Sequence, residues 1–351
     1  MSFSTIRSAQ RFTRSQRAFS NWLMVVCVVC ISLAIGARAS HVGTDTENYV
    51  YFYDQVLVCQ CAPAGFEPIF GFLARCTALI SDSVNTFLVL VSFVQLCLMI
   101  TAGKTLSRFL GFHPRDYRVQ ILAIAFALIS PFFMAAQINI IRQGTAAFAI
   151  YLAAIAVIER RHWSALIWAL LATGLHFSSV LYLALFPLIY LQFRYRAVIF
   201  VTLIFLYASG LSQIIVKIVS DILGIPLYAL VASYGEGADY RIGVRYDFLL
   251  FSLAPLIIAI VVYAQSRLSI FKERVRTICE LYALFLMPFL LLGWGGYSDR
   301  YAFSAWMLLP VVGAIFSYRL FSGRAFFSLL FIVSLCLSYF ARSFSLLAYS
   351  N

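Results

Sequence analysis

Apolar residues run through this chain in long blocks separated by short polar breaks, from Trp22 to Phe340, with neither the strict alternation of a half-buried strand nor the narrow stripe of a surface helix. Blocks of this kind are membrane-spanning helices, each needing about 20 apolar residues and fewer where a helix is short or broken. The blocks fall near 22–37, 86–103, 119–136, 143–158, 164–176, 178–191, 197–216, 247–265, 278–294, 301–318 and 326–341. They predict an all-α, polytopic integral membrane bundle of about 10–12 transmembrane helices, with short or broken helices and loop helices outside the bilayer. The expected organisation is a basic N-terminus over 1–21, a single membrane domain over 22–341 with outer loops at 38–85 and 217–246, and a tail over 342–351.

Composition agrees. Hydrophobic residues make up 63% of the 351, charged residues 11%, and mean hydropathy is +0.91. A soluble domain carries about a quarter charged residues.

Basic residues decide the orientation and one ambiguous block. Residues 164–191 are too long for one ordinary span and short for two. Two short helices meeting near His176 put Arg7 to Arg17, Lys104 to Arg118, Arg160, Arg161, Arg194, Arg196, Arg267 to Arg276, Arg319 and Arg324 on one side. That side is cytoplasmic by the positive-inside rule, and so is the N-terminus. A single span would export the 267–276 cluster. The split places His176 at the outer face. The net charge of +12 is thus an orientation signal with affinity for anionic membrane lipids, and nothing in it points to nucleic acid.

The first block ends Ala37-Arg38-Ala39, the form of a signal-peptidase site, and the competing reading, which we adopt, is an uncleaved anchor. Cys27 and Cys30 are spaced as C-x-x-C inside an apolar span and read as packing residues. Cys59, Cys61 and Cys76 share the first outer loop, where Cys76 has two candidate disulfide partners. The four His residues are scattered, so no metal site and no cofactor are expected.

The polar residues that break the pattern concentrate on the outer side. They include Asp45 and Tyr49, Glu67 before Pro68, the run Gln137-Ile138-Asn139-Ile140-Ile141-Arg142-Gln143-Gly144, His176, the Tyr- and Arg-bearing stretch with Tyr240, Arg241 and Arg245, and Asp299-Arg300-Tyr301. Arg142 stands out. An Arg between two apolar blocks costs about 2.5–3.5 kcal/mol on lenient insertion scales, so it needs an anionic partner or a function. Guanidinium groups at Arg142, Arg241, Arg245 and Arg300 suit the forked hydrogen bonds of a diphosphate. Tyr rings and carboxylates suit sugar faces and hydroxyls, and His176 or a carboxylate can take a proton from an attacking hydroxyl.

Blander roles stand beside these. Arg142 also suits snorkelling from a helix end, Asp45 and Glu67 suit turns and helix starts, and Asp299 and Arg300 suit a surface pair.

The ordered set Gly43-Thr44-Asp45-x-x-x-Tyr49, Phe66-Glu67-Pro68-x-Phe70, Ile141-Arg142-Gln143-Gly144, His176-Phe177-Ser178-Ser179 and Asp299-Arg300-Tyr301 resembles the EpsG family, which groups with Wzy-type polymerases of O-antigen and exopolysaccharide repeat units. The resemblance implies a multi-pass enzyme of the bacterial inner membrane, a glycosyltransferase joining undecaprenyl-diphosphate-linked oligosaccharide repeats at the periplasmic face without metal or nucleotide sugar. It also implies flippase and chain-length-regulator proteins as partners. In this reading Arg142, His176, Asp45, Glu67 and Asp299 are the catalytic candidates. Gln143, Arg241, Arg245, Arg300, Tyr49 and Tyr240 are the substrate-binding candidates. A flippase or transporter, and a ligase acting on a finished glycan, are the alternatives.

Overall fold

The computed structural model describes residues 14–59, 61, 65–111, 117–234, 241–265 and 269–320. The expected last span at 326–341, the C-terminal tail and Tyr240 lie outside the described residues.

The described residues form helices and no strand. In chain order these are α1 (Arg14–Gly36), α2 (Thr46–Cys59), α3 (Pro68–Ala78), α4 (Val84–Phe109), α5 (Tyr117–Ile129), α6 (Pro131–Ile138), α7 (Ile141–Ile158) and α8 (His162–Leu175). Then come α9 (Ser179–Leu183), a 3-10 turn over Phe186–Tyr190, α10 (Phe193–Ala208), α11 (Leu211–Leu223), α12 (Leu227–Ser233), α13 (Tyr246–Gln265), α14 (Ser269–Leu292), α15 (Ser298–Trp306) and α16 (Leu309–Leu320).

The all-helical membrane bundle is as expected, but the spans are more broken than their apolar length suggests. Among the described residues, three helices are long and apolar enough to cross a membrane: Val84–Phe109, Ile141–Ile158 and Lys272–Leu292. Counting each bent pair as one span gives up to five. The block at 119–136 bends by 78° at Ser130-Pro131. Pro131 has no N–H to continue α5, and Ser130 instead caps α6 by accepting a hydrogen bond from the Phe133 N–H. The block at 197–216 bends by 101° where Gly210 takes the left-handed conformation, φ 77°. The ambiguous block is broken at His176, where α8 stops at Leu175 and α9 begins at Ser179.

α7 is the axis. Nearly every side chain along it is buried, and its Ala-rich sequence lets α4, α6 and α8 approach closely. Gly144 sits where an added Cβ would fall 2.5 Å from the Ala136 Cβ, so α6 and α7 touch through the smallest available residues. At about 1.5 Å per residue, the 18 residues of α7 hold two polar ends roughly 27 Å apart. One end gathers Arg108 and Arg161 around Glu159, and Arg196 and Arg276 around Glu280. The other end gathers Asp45, Tyr49, Arg142, Gln143, His176 and Arg300.

The first loop corrects one expectation. Cys59 pairs with Cys61, and Cys76 is a free thiol.

Candidate functional site

Three local features build the site. The first is the start of α3. Pro68 occupies the first helical position, where its missing N–H costs nothing, and Glu67 is the N-cap with extended backbone. Its carboxylate does not cap the helix. Gly174, near the end of α8, lacks the side chain that would strike Ile69 at 2.5 Å, so α3 and α8 pack tightly there. That contact delivers Glu67, 2% exposed, to the chain break at His176.

The Glu67 carboxylate is then fully occupied. Oε2 accepts a hydrogen bond from Arg142 at 2.6 Å, while Oε1 lies 2.7 Å from His176 Nδ1 and accepts from the Phe177 N–H at 3.2 Å. Burial alone would raise this carboxyl, but the bond to His176 and the Arg142 charge outweigh it and hold the pKa at about 2. An ionised Glu67 accepts and cannot donate, so Nδ1 of a neutral His176 must carry the proton. The lone pair is left on Nε2. The Arg142 guanidinium also lies over the Phe66 ring, 4.6 Å from its centroid.

The second feature is the turn between α6 and α7. Arg38 donates to the Ile138 carbonyl at 3.2 Å and Tyr49 donates from its hydroxyl to the Asn139 carbonyl at 3.1 Å, which satisfies the exposed carbonyls of the turn. Gly43 lies against this turn with φ 90°, and a Cβ there would meet Ile138 and Asn139. Arg142 is thereby fixed in the first turn of α7, whose N-terminal N–H groups add positive potential beside it.

The third is α15. Gln143 donates from Nε2 to the Arg300 carbonyl at 2.5 Å, and Tyr182 donates to the Tyr301 carbonyl at 3.0 Å. These bonds dock the Asp299-Arg300-Tyr301 segment on α7 and α9. The Arg300 side chain reaches Tyr234 Oη at 2.5 Å and Asp45 Oδ2 at 3.5 Å, and lies over the Tyr297 ring.

These features enclose a cavity of about 400 Å³. Asp45, Tyr49, Arg142, Gln143, His176 and Arg300 line its polar side. Leu181, Leu227, Leu230, Val231 and Leu292 line its apolar side. Six of the sequence candidates therefore share one wall, and Glu67 stands behind Arg142 and His176. Asp299 precedes Arg300 but does not line the cavity.

Arg241 and Arg245 are not at this cavity either. Arg245 forms a forked pair with Asp247, at 2.9 and 2.6 Å, over the Phe248 ring, and Arg241 is exposed. Two Arg residues on a Tyr-rich loop carry the composition of a diphosphate grip, but a nearer carboxylate holds Arg245 elsewhere. Of the residues grouped with Arg142 in sequence, Gln137 is buried in the bundle and Asn139 is half-buried in the turn, and neither lines the cavity. The sequence reading missed Tyr182, Ser178 and Arg38 as parts of the site. Tyr182 sits in an apolar helix of five residues and only its polar ring atom marks it, whereas Arg38 closing an apolar block was visible as a signal.

Comparison with known proteins adds the family. No curated protein and no solved structure matches the chain. The model of the EpsG family matches residues 21–351, nearly the whole length, and that family is one of polysaccharide-polymerase-type membrane proteins. With its five motifs gathered around one cavity and the family match running from the first apolar block to the last residue, the chain belongs to the EpsG family.

Proposed function

We propose that this protein polymerises oligosaccharide repeat units carried on undecaprenyl diphosphate, at the periplasmic face of the bacterial inner membrane, with the N-terminus in the cytoplasm. The observation that carries the reading is the buried Glu67 carboxylate holding His176 and Arg142 together beside Arg300 on the cavity wall. That arrangement provides a base and an anion clamp within one site.

In the reaction, His176 Nε2 takes the proton from a sugar hydroxyl of the incoming lipid-linked unit. The hydroxyl oxygen attacks the anomeric carbon of the growing chain. The bond from that carbon to the diphosphate oxygen breaks, and undecaprenyl diphosphate leaves with the electron pair. Negative charge grows on the leaving group in the transition state, so the Arg142 guanidinium, Arg300 and the α7 N-terminus act on rate more than on ground-state binding. Glu67 fixes the His176 tautomer and stabilises the imidazolium formed, the role an orienting carboxylate plays in carboxylate–imidazole pairs. Asp45 keeps Arg300 at the wall through a contact at 3.5 Å, long enough to give way to a diphosphate. Tyr49, Tyr234 and Gln143 supply ring faces and amide groups for the sugars.

Deleting the gene and analysing lipid-linked and surface glycan tests this reading. Single repeats accumulating on the lipid outside the cytoplasm, with loss of long polymer, is the expected outcome. Repeats retained on the cytoplasmic side would instead identify a flippase.

A further inference from the structure

We propose that α11 and α12 form the lateral entrance through which the donor's lipid tail leaves the cavity, with Leu230 at its sill; this rests on the lipid-linked donor of the proposed function. The cavity is two-faced. Its polar side carries Arg142, His176 and Arg300, and its apolar side is made largely by α12 with Leu181 and Leu292. Such a space suits an amphiphile whose anionic head lies at the Arg residues and whose chain departs over the leucines. Leu230 lines the cavity yet is 62% exposed, so among the described residues the apolar wall reaches the outer surface at Leu230, one turn before the cavity-lining Tyr234.

The neighbouring helix says what lies outside. α11 has 13 residues, about 20 Å, too short to cross a bilayer. It leaves α10 at 101°, with Gly210 at one end and Gly224 at the other both in the left-handed conformation. Its residues divide sharply. Ser212, Val216 and Ser220 are buried, while Leu211, Ile214, Ile215, Ile218, Val219, Ile222 and Leu223 form an exposed stripe at helical spacing, beside the exposed Lys217 and Asp221. A short helix that exposes an apolar stripe beside a charged strip lies in the membrane surface with the stripe in the acyl region. The stripe continues through Ile225 to Leu230, carrying the acyl level to the cavity mouth.

α12 is held as a fixed wall. The Tyr228 N–H donates to Ser220 Oγ at 3.0 Å, its hydroxyl accepts from Gln213 at 3.2 Å, and its ring stacks on Trp294. Val231 packs on Gly295, where a Cβ would lie 2.6 Å from the Val231 carbonyl oxygen. The mouth is therefore built into the fold.

The test places a photo-crosslinking residue at position 230, or at position 201 on the exposed face of α10, in full-length protein. The protein is held in phospholipid nanodiscs containing about one per cent undecaprenyl diphosphate without sugar. Mass spectrometry of the adducts is expected to show undecaprenyl diphosphate enriched at least tenfold at 230 over 201, and Leu227→Asp is expected to abolish the enrichment in protein that still purifies as a monodisperse species. Equal labelling at both positions, or phospholipid adducts at 230 in proportion to their abundance, overturns the entrance. The probe carries no sugar, so enrichment at 230 supports the entrance even where no polymer forms. Polymer formation without enrichment removes the entrance and leaves the proposed function standing.

Discussion

Glu67 accepts a hydrogen bond from Arg142 across 2.6 Å, so the charge that interrupts the apolar pattern is answered from a loop 75 residues earlier in the chain. The partner that the cost of an Arg at the membrane edge demands is thus built into the protein. One nitrogen of the guanidinium is committed to Glu67, and the group still lines the cavity. Arg142 is therefore a positioned cation, held in place before any substrate arrives.

Arg142→Lys keeps the charge but loses the planar fork. The expected result is a fall in polymer formation of about 100-fold or more, as for loss of a donor aimed at developing charge, with unchanged protein abundance in the membrane. Quantitative immunoblotting beside gel analysis of the glycan checks both halves. Full-length polymer at normal yield contradicts the role given to Arg142.

Glu67→Gln preserves size and an acceptor for the Phe177 N–H but removes the charge that fixes the His176 tautomer. The rate of polymer formation should drop about 100-fold or more, and Glu67→Asp, which retracts the carboxylate, should recover only part of it. Initial rates with saturating acceptor separate this loss of turnover from a loss of binding.

The depressed pKa of Glu67 gives a pH signature. A carboxyl held at about 2 against an ordinary 4.5 contributes stability that is complete above 4.5 and is lost as pH falls from 4.5 toward 2. Thermal unfolding in detergent should show a steeper loss across that window for the native protein than for Glu67→Gln. Parallel curves would mean that Glu67 is not ionised in the folded protein.

Gly43→Ala places a Cβ at φ 90° and against the turn that aims Arg142. The left-handed backbone alone costs an L-residue about 1–2 kcal/mol, and the collision with Ile138 and Asn139 adds to it. Lower thermal stability together with lower polymer yield is the expected outcome, whereas an unaffected melting curve contradicts the packing described.

Arg241→Ala and Arg245→Ala should leave polymer formation within about twofold of normal, because the Arg245–Asp247 pair is a surface contact of small net value and neither residue reaches the cavity. Polymer analysis of the two variants, side by side with Arg142→Lys, distinguishes residues at the cavity from residues that share only composition with it.

Much of this was legible in the sequence because the costs are local. Apolar blocks announce a helical bundle, and a polar cluster between two such blocks announces a candidate site. The split at His176 followed from counting basic residues on each side of it. What the sequence could not convey is which opposite charges meet. Glu67 reads as a helix start, and it is one. Its carboxylate turns away from the α3 N-terminus because Gly174 lets α3 reach the end of α8, a contact between distant residues that no local pattern encodes. Arg245 lies away from the cavity for the converse reason, since Asp247, two residues away, pairs with it. The apolar blocks at 119–136 and 197–216 also hide their bends, because hydropathy averages over the Pro131 and Gly210 that break them.

The central claim is that this one chain joins lipid-linked repeats at the Arg142–Glu67–His176 wall. Its most direct measurement is polymerisation by purified protein in proteoliposomes supplied with a single undecaprenyl-diphosphate-linked repeat unit and no nucleotide sugar. A ladder of products from the native protein, absent with His176→Ala and Arg142→Lys at equal protein, is the predicted result. A ladder of equal yield from those two variants, or none from native protein that is folded and correctly inserted, contradicts it.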